Sequence, residues 1–456
     1  MLFASAASPA IELRYDASAD TNLVYHLDCL ARVINCHRDG FAALWASLPA
    51  NESDSAWLQR WRALRQPLRT RRFRPEPAGT SPVPFDTAIA GTGTPSSADA
   101  LGEQEVLNVF RARHTAWWRD SNAADDLTRL VRGLDHSVAR SRLIDRLVGL
   151  NAFFGADSNA IDVIPIALVA TGNERGRTHG EYRDRSVYVE TLRGEPADAR
   201  AATIAHEIAH YLYAALTRDQ RATIRRWFTE HDATLALPAY AVFNEAIATA
   251  FGNGIVERAL VGEQRFARLF ALPQSLYADR YIDIAGRVAL PLLDEYLAER
   301  RAIDAQFVDR FIVALERALG TRATEQGFWL RVMVFANASP TLWPLAETIA
   351  REVRTGSLLQ EDISHGCTER CLLRRYPELA GIVVTTLDTL DALRDVVPDG
   401  DVSRIRREVT IHGYVAYGVR RSDRSLLFIA AGRSAADTEV ALNRLLDFGQ
   451  IFVGPL

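Results

Sequence analysis

The chain has 456 residues, of which 48% are hydrophobic, and a formal net charge of −4 at pH 7. This length is sufficient to bury the cores of two or three domains or lobes. The slight acidic excess gives no electrostatic reason to expect a nucleic-acid partner. No run of 18 apolar residues occurs, so the sequence predicts no membrane-spanning helix.

The first 150 residues predict helices on both sides of a linker. Residues 11–15 are typical of a short strand and residues 21–74 of helices, which together form an N-terminal region over 1–74. Residues 75–102 combine proline, glycine and serine and therefore predict a linker. Helices are expected again from 103 to about 150.

Two strands are predicted in the next part of the chain. Residues 161–169 are apolar and β-branched, while residues 186–192 alternate in the manner of a half-buried strand. The polar segment between them, 171–180, contains glycine and predicts a loop. A small sheet is therefore expected before residue 196.

The most informative motif is the sequence His-Glu-Ile-Ala-His at 206–210. It lies in 196–216, which is rich in alanine and leucine, has no glycine, and predicts a buried helix. Residues i and i+4 share one face of a helix, so His206 and His210 can bind one metal ion while Glu207 faces a water on that ion. A buried helix rarely carries two histidines without a partner, which favours a zinc site.

Zinc in a catalytic site usually has three protein ligands. The best third candidate is Glu245, in the segment 242–252 that predicts another helix. The chain between His210 and Glu245 is long enough to turn back and present this carboxylate from a neighbouring helix. The expected ligands of Zn²⁺ are therefore His206, His210 and Glu245.

The His-Glu-Ile-Ala-His motif and the Asn-Glu-Ala-Ile segment at 244–247 resemble the zinc-binding helices of gluzincins, the thermolysin-like clan of HExxH metallopeptidases. The resemblance to gluzincins covers roughly residues 150–260. The layout of the chain also resembles a set of uncharacterised bacterial metallopeptidases. Thermolysin-like enzymes have an aspartate four residues after the ligand glutamate, where it orients a zinc-binding histidine. This chain has Thr249 there, so we expect different contacts around the ligands.

The resemblance implies a mixed sheet directly before the HExxH helix, with an edge strand that binds substrate backbone. We assign that edge to residues 186–192. Hydrolysis at such a site would use Glu207 as general base, to take a proton from a water activated by zinc. An oxyanion donor is needed as well. Tyr281, Tyr277 and His179 are candidates, and Tyr281 is favoured because it begins a downstream helix.

The remainder predicts a helical lobe followed by a small separate domain. Residues 255–355 are predicted helical, so the metallopeptidase domain is expected over 103–360. Residues 375–456 predict a small α/β domain with an accessory or substrate-recruiting role. Its predicted strands lie at 381–387, 413–419 and 425–431, and its helices near 389–397 and 435–447. The predicted fold class is α+β, with a mostly helical zincin-like core.

The four cysteines form two local pairs, Cys29 with Cys36 and Cys367 with Cys371. Each pair could close a short disulfide in an oxidising compartment. Seven residues along a straight helix would be too far apart for the first bond. His365 with the second pair could instead supply a further metal site.

Two classes of function remain open from the sequence. The first is a zinc-dependent metallopeptidase acting on peptides or proteins. The second is a non-catalytic protein that keeps a zincin scaffold for binding or assembly, with a structural metal. Glu207 favours the enzyme, because a binding protein needs no general base. The first ten residues resemble the end of a signal peptide, which favours a periplasmic or secreted protein over a cytoplasmic one.

Overall fold

The computed structural model describes residues 11–456 except 35, 37–52, 73–96, 157–162, 177, 184, 353–356, 370, 377 and 422–423. The fold is α+β, as predicted, with many helices and two sheets. The described chain divides into two compact units. The first unit contains the residues up to Leu216 together with Glu245–Ile303, and the second contains Thr217–Asn244 and Asp304–Leu456.

Strands and helices alternate irregularly along the part of the chain that contains the first unit. The strands are β1 (Glu12–Asp16), β2 (Val163–Ala170), β3 (Gly180–Arg183) and β4 (Ser186–Thr191). The helices up to residue 214 are α1 (Ala19–Leu30), α2 (Asp54–Arg72), α3 (Ser97–Asp120), α4 (Ala123–Ser141), α5 (Leu143–Phe153) and α6 (Ala197–Ala214). The next helices are α7 (Arg218–Thr229), α8 (Ala236–Ala248), a π-helical segment (Thr249–Val256), α9 (Glu257–Val261), α10 (Glu263–Phe270) and α11 (Arg280–Ala298).

The predicted linker and the predicted signal-like segment lie largely outside the described residues. The first ten residues and residues 75–96 are in that group. Residues 97–102, which we expected to belong to the linker, form the first turns of α3.

The sheet of the first unit has the strand order β1-β2-β4-β3. β1, β2 and β4 are parallel, and β3 runs antiparallel to β4, so the prediction of a mixed sheet before the HExxH helix is confirmed. The assignment of 186–192 as the edge is wrong, because β4 lies between β2 and β3. The two edge strands are β1 and β3. The four residues of β3, two of them charged, are too few for the alternation of a strand to be recognised in sequence.

A buried ion cluster attaches β3 to two helices. Asp28 is fully buried and accepts hydrogen bonds from Trp61 Nε1 (2.9 Å), Arg65 Nη2 (3.0 Å) and Arg183 Nη1 (3.0 Å). Burial opposes ionisation of Asp28, yet the two arginines hold the pKa of this carboxyl below its usual value. Arg183 ends β3, so the cluster fixes the edge strand against α1 and α2 in addition to its pairing with β4.

A second buried group joins α1 to α3 and contains two histidines. His26 and His114 are 0% and 2% exposed, and their ring centroids lie 5.2 Å apart. Trp117 packs within 5.3 Å of both rings, and Trp118 stacks on His114. His26 Nε2 lies 3.1 Å from the carbonyl oxygen of Ala170 at the end of β2. This group therefore connects the helices to the sheet.

We expect this histidine pair to make the protein less stable as the pH falls. Burial lowers the pKa of His114 to about 4 and that of His26 well below its usual value, whereas unfolded histidine titrates near 6.5. The unfolded state therefore binds more protons between pH 6.5 and 4, and stability is lost across that window. His114 alone should contribute about 2 kcal/mol of the loss between pH 7.5 and pH 5. Urea unfolding at the two pH values measures this difference.

The control for this prediction is His114→Phe, which keeps an aromatic ring beside Trp118. The variant should lose less stability than the wild type over the same pH interval, since it removes one buried titrating group. An unchanged difference between the two pH values would show that His114 is not responsible.

The second unit is built around a six-stranded sheet. Its strands are β5 (Val332–Asn337), β6 (Ser357–Asp362), β7 (Ala380–Thr386), β8 (Tyr414–Arg420), β9 (Leu426–Gly432) and β10 (Gly454–Pro455). Its further α-helices are α12 (Ala305–Leu319), α13 (Gln326–Trp329), α14 (Leu345–Glu352), α15 (Leu372–Arg375), α16 (Asp399–His412) and α17 (Ala435–Phe448). Short 3₁₀ helices occupy Gly320–Thr324, Pro340–Leu342 and Leu390–Asp395. The strand order is β10-β8-β9-β7-β5-β6, with β6, β5, β7 and β9 parallel.

The C-terminal sheet begins earlier in the chain than predicted. The predicted strands at β7, β8 and β9 and the helix at α17 are confirmed. The prediction of helices throughout 255–355 is wrong at 332–337, where β5 is fully buried and pairs with β6 and β7. A short strand buried on both faces is a continuous apolar run, so periodicity does not separate it from a helix. Residues 399–412 form a helix, α16, that we did not predict.

Among the described residues, no helix combines the length and the apolar composition that crossing a membrane requires.

Candidate metal centre

The HExxH motif lies in the buried central part of α6. The helix starts after Pro196, carries Asp198 in its first turn, and contains alanines that pack closely against neighbouring elements. His206 and Glu207 are only 5% and 7% exposed. The prediction of a buried helix over 196–216 is confirmed, and the two histidines lie one turn apart on it.

Glu245 reaches the two histidines from α8. His206 Nε2 and His210 Nε2 are 3.1 Å apart, and the Glu245 carboxylate oxygens lie 3.5 Å from His206 Nε2 and 3.6 Å from His210 Nε2. A tetrahedral zinc ion with bonds of 2.0–2.1 Å separates its ligand atoms by about 3.3 Å. The three side chains could thus hold one such ion without rearrangement. Among the described residues, His206, His210 and Glu245 are the group of three His, Cys, Asp or Glu side chains whose possible ligand atoms all lie within 4.8 Å of one another.

The charges in the cluster suit a cation. Burial opposes ionisation of Glu245, but the imidazoles of His210 and His206 outweigh it and hold the pKa of Glu245 well below its usual range. Burial also raises the pKa of Glu207, against the opposing effect of the same imidazoles. The cluster therefore contains one carboxylate that stays ionised and one that protonates more readily.

The π-helical segment Thr249–Val256, which follows α8, packs closely against α6. π-Helical turns are rare and often occur at functional sites. A Cβ atom placed on Gly252 would lie 2.5 Å from the His206 amide nitrogen and 2.6 Å from the Ala202 carbonyl oxygen. A residue without a side chain is therefore required where the segment crosses the backbone of the first histidine.

We expect Gly252→Ala to destabilise the first unit and to weaken metal binding. The added methyl group would meet backbone atoms, which cannot rotate away, so the change should cost about 1–3 kcal/mol. Chemical denaturation and zinc titration of the variant measure the two effects. The matched control is Gly149→Ala in α5, whose Cβ would contact Leu297 Cδ2 at an ordinary 3.6 Å. Equal behaviour of the two variants would contradict this account.

The edge strand β3 lies beside Glu207. A Cβ atom on Gly180 would come within 2.5 Å of Glu207 Oε1, so the first residue of β3 leaves room for this carboxylate. The rings of Tyr182 and Tyr211 pack edge to face at 5.2 Å and join β3 to α6. His179 is near enough to Glu207 to favour its ionised form. The predicted base thus faces the sheet edge.

The three candidate oxyanion donors occupy different positions. The Tyr277 ring stacks on the His206 ring with centroids 5.8 Å apart. The His179 backbone donates a hydrogen bond to Glu190 Oε2 (2.8 Å), just before β3 begins. The Tyr281 hydroxyl, which we favoured from sequence, accepts a hydrogen bond from Arg280 (2.6 Å). Of these three residues, Tyr277 has a ring that packs against the ring of a candidate ligand.

Sequence reasoning missed the residues that position Tyr277. Asp283 is 3% exposed and accepts hydrogen bonds from the backbone amides of Leu276 (2.8 Å) and Tyr277 (3.3 Å). Asn253, in the π-helical segment, donates to the Leu276 carbonyl oxygen (2.6 Å). The sequence indicates only an i, i+4 ion pair between Asp283 and Arg287. It does not indicate the hydrogen bonds to the loop, because no helical or strand spacing relates Asp283 to Leu276 and Tyr277.

Thr249 does not take the place of the missing aspartate. It is fully buried, and its methyl carbon would lie 2.5 Å from a Cβ atom placed on Gly286, so the methyl packs against this glycine. Thr249 Oγ1 and His206 Nδ1 have no hydrogen-bond partner among the described residues. The contacts around the first histidine therefore differ from the thermolysin-like pattern, as the sequence indicated.

The cysteines pair as two disulfides. Cys29 bonds to Cys36 with Cα atoms 5.9 Å apart, which is possible because α1 ends at Leu30 between them. Cys367 bonds to Cys371 with a Cα separation of 5.2 Å. With both sulfurs of the second pair in a disulfide, this segment does not supply thiolate ligands for a further metal site.

Comparisons of the chain with protein-family models, with curated proteins and with solved structures give no match.

Proposed function

We propose that the protein is a zinc-dependent metallopeptidase that hydrolyses peptide bonds. The observation that carries the proposal is the convergence of His206, His210 and Glu245 at spacings that suit one tetrahedral ion, next to the buried carboxylate of Glu207. Three protein ligands are the usual number for a catalytic zinc, which needs a fourth position for water or substrate.

Glu207 has the position and the chemistry of a general base. When bound, zinc would polarise a carbonyl group and lower the pKa of a water molecule to about 7. The Glu207 carboxylate would accept a proton from that water and donate it to the leaving amine. Burial raises the pKa of Glu207, which makes the carboxylate a stronger base than an exposed glutamate.

The edge strand supplies a site for an extended peptide. A substrate backbone that adds to β3 would run beside Gly180 and hence past Glu207 Oε1. The buried Asp28 cluster holds β3 in place, so the edge is preorganised for this pairing. The Tyr277 hydroxyl is the favoured donor to the tetrahedral oxyanion.

The disulfides support a location outside the cytoplasm. Two disulfide bonds persist best in an oxidising compartment. We therefore propose that the enzyme acts in the periplasm or outside the cell.

The test is cleavage of a peptide library by zinc-loaded protein, read by mass spectrometry. We expect cleavage products from the wild type. These products should be absent when a chelator is added and when the variant His206→Ala is used. A protein that binds one zinc per chain but cleaves neither peptides nor unfolded proteins would contradict the peptidase and favour a zincin scaffold with a structural metal.

A further inference from the structure

The six-stranded sheet of the second unit has a topological switch point between the adjacent strands β5 and β7. β5 lies between β6 and β7, and all three strands are parallel. After β5 the chain passes through α14 to β6. After β7 it passes through α16 to β8, which lies in the opposite direction along the strand order. In doubly wound sheets, connections that diverge from adjacent strands open a crevice at the carboxyl ends, and ligands bind there.

A buried hydrogen-bond donor without a partner lies at this point. Asn337 is the last residue of β5 and is fully buried. Its Oδ1 accepts a hydrogen bond from the Ser339 backbone amide (2.9 Å), while its Nδ2 has no partner among the described residues. If Oδ1 and Nδ2 of Asn337 were exchanged, the side-chain NH₂ would face the Ser339 backbone N–H, and both groups are donors. The group without a partner is therefore the Asn337 NH₂ group. A buried donor without a partner is costly, so an acceptor oxygen of a bound ligand or of a water would stabilise it.

Hydroxyl groups surround the same carboxyl ends. After β5, Ser339 Oγ and Thr341 Oγ1 lie 3.0 Å apart, the first partly buried and the second exposed. After β7, Thr386 Oγ1 and Thr389 Oγ1 also lie 3.0 Å apart. Hydroxyl groups can rotate to donate, so these pairs can present several donors to one acceptor group.

We propose that the carboxyl ends of β5 and β7 bind the phosphate group of a small phosphorylated ligand, with Asn337 Nδ2 as its buried donor. A phosphate offers several acceptor oxygens in a compact tetrahedron, which matches an amide and rotatable hydroxyls better than a cation does. Two carboxylates oppose an anion at this edge, Asp362, which pairs with Asn337 in the register of β5 and β6, and Asp388. Both are exposed, so solvent screens their charges.

The experiment is titration of the full chain with inorganic phosphate, followed by calorimetry and ³¹P line broadening. We expect saturable binding at millimolar phosphate. Asn337→Asp should weaken it about tenfold or more, because the change replaces the donor with a negatively charged acceptor. The matched control is Asn443→Asp, the same chemical change at an exposed position of α17, which should bind as the wild type does.

A second variant tests the same site if Asn337→Asp fails to fold. Ser339→Ala combined with Thr341→Val removes hydroxyls at partly buried and exposed positions and should also reduce phosphate binding. Absence of saturable binding by the wild type, or equal binding by the wild type and the folded variants, would overturn the proposal. Comparing a nucleoside monophosphate with its nucleoside then shows whether the phosphate belongs to a larger ligand. Zinc content should be unchanged throughout, which separates this site from the metal centre.

Discussion

Replacement of His206 or of Glu245 by alanine should reduce the zinc content from about one ion per chain to nearly none. Each change removes one of the three candidate ligands, whose nitrogen and oxygen atoms lie 3.1–3.6 Å apart. The effect should be large because a site with two remaining ligands cannot compete with water and buffer for the metal. Elemental analysis of protein purified without chelator measures the content.

Surface variants of the same residue types provide the controls for zinc binding. The side chains of His412 and Glu263 are 64% and 81% exposed, and alanine at either position should leave the zinc content unchanged. Retention of zinc by Glu245→Ala would refute its assignment as third ligand. A wild type that takes up no zinc after reconstitution would remove the basis of the peptidase proposal.

Glu207→Gln should keep the zinc and lose most of the hydrolytic activity. The amide has nearly the same shape as the carboxylate, so it fits the space that Gly180 leaves, but it cannot accept the proton of the attacking water. A general base contributes about 10²- to 10⁴-fold to the rate, and the turnover number should fall by that factor. Peptide hydrolysis and zinc content measured on the same sample separate the two effects.

The comparison with His206→Ala identifies the role of the carboxylate. His206→Ala should lose both metal and activity, whereas Glu207→Gln should lose activity alone. Hydrolysis by Glu207→Gln at the wild-type rate would show that Glu207 is not the base. Loss of zinc from this variant would instead assign the carboxylate to metal binding.

Much of the first unit could be predicted because its features are local. The helix around the HExxH motif follows from alanine and leucine content, and the i, i+4 spacing places His206 and His210 together whatever the rest of the chain does. The strands β2 and β4 were recognised from apolar runs and alternation. β3 was missed because its position depends on pairing with β4 and on the distant Asp28.

The fold class, the HExxH helix and the identity of the three candidate ligands follow from local residue patterns. Three features depend on the folding of the whole chain: Glu245 approaches both imidazoles, β3 is the sheet edge beside Glu207, and Tyr277 stacks on the ring of a candidate ligand. The two groups of features differ in the range of the interactions that produce them. Helix periodicity acts over a few residues, whereas the ligand cluster and the strand order depend on contacts between segments far apart in the chain.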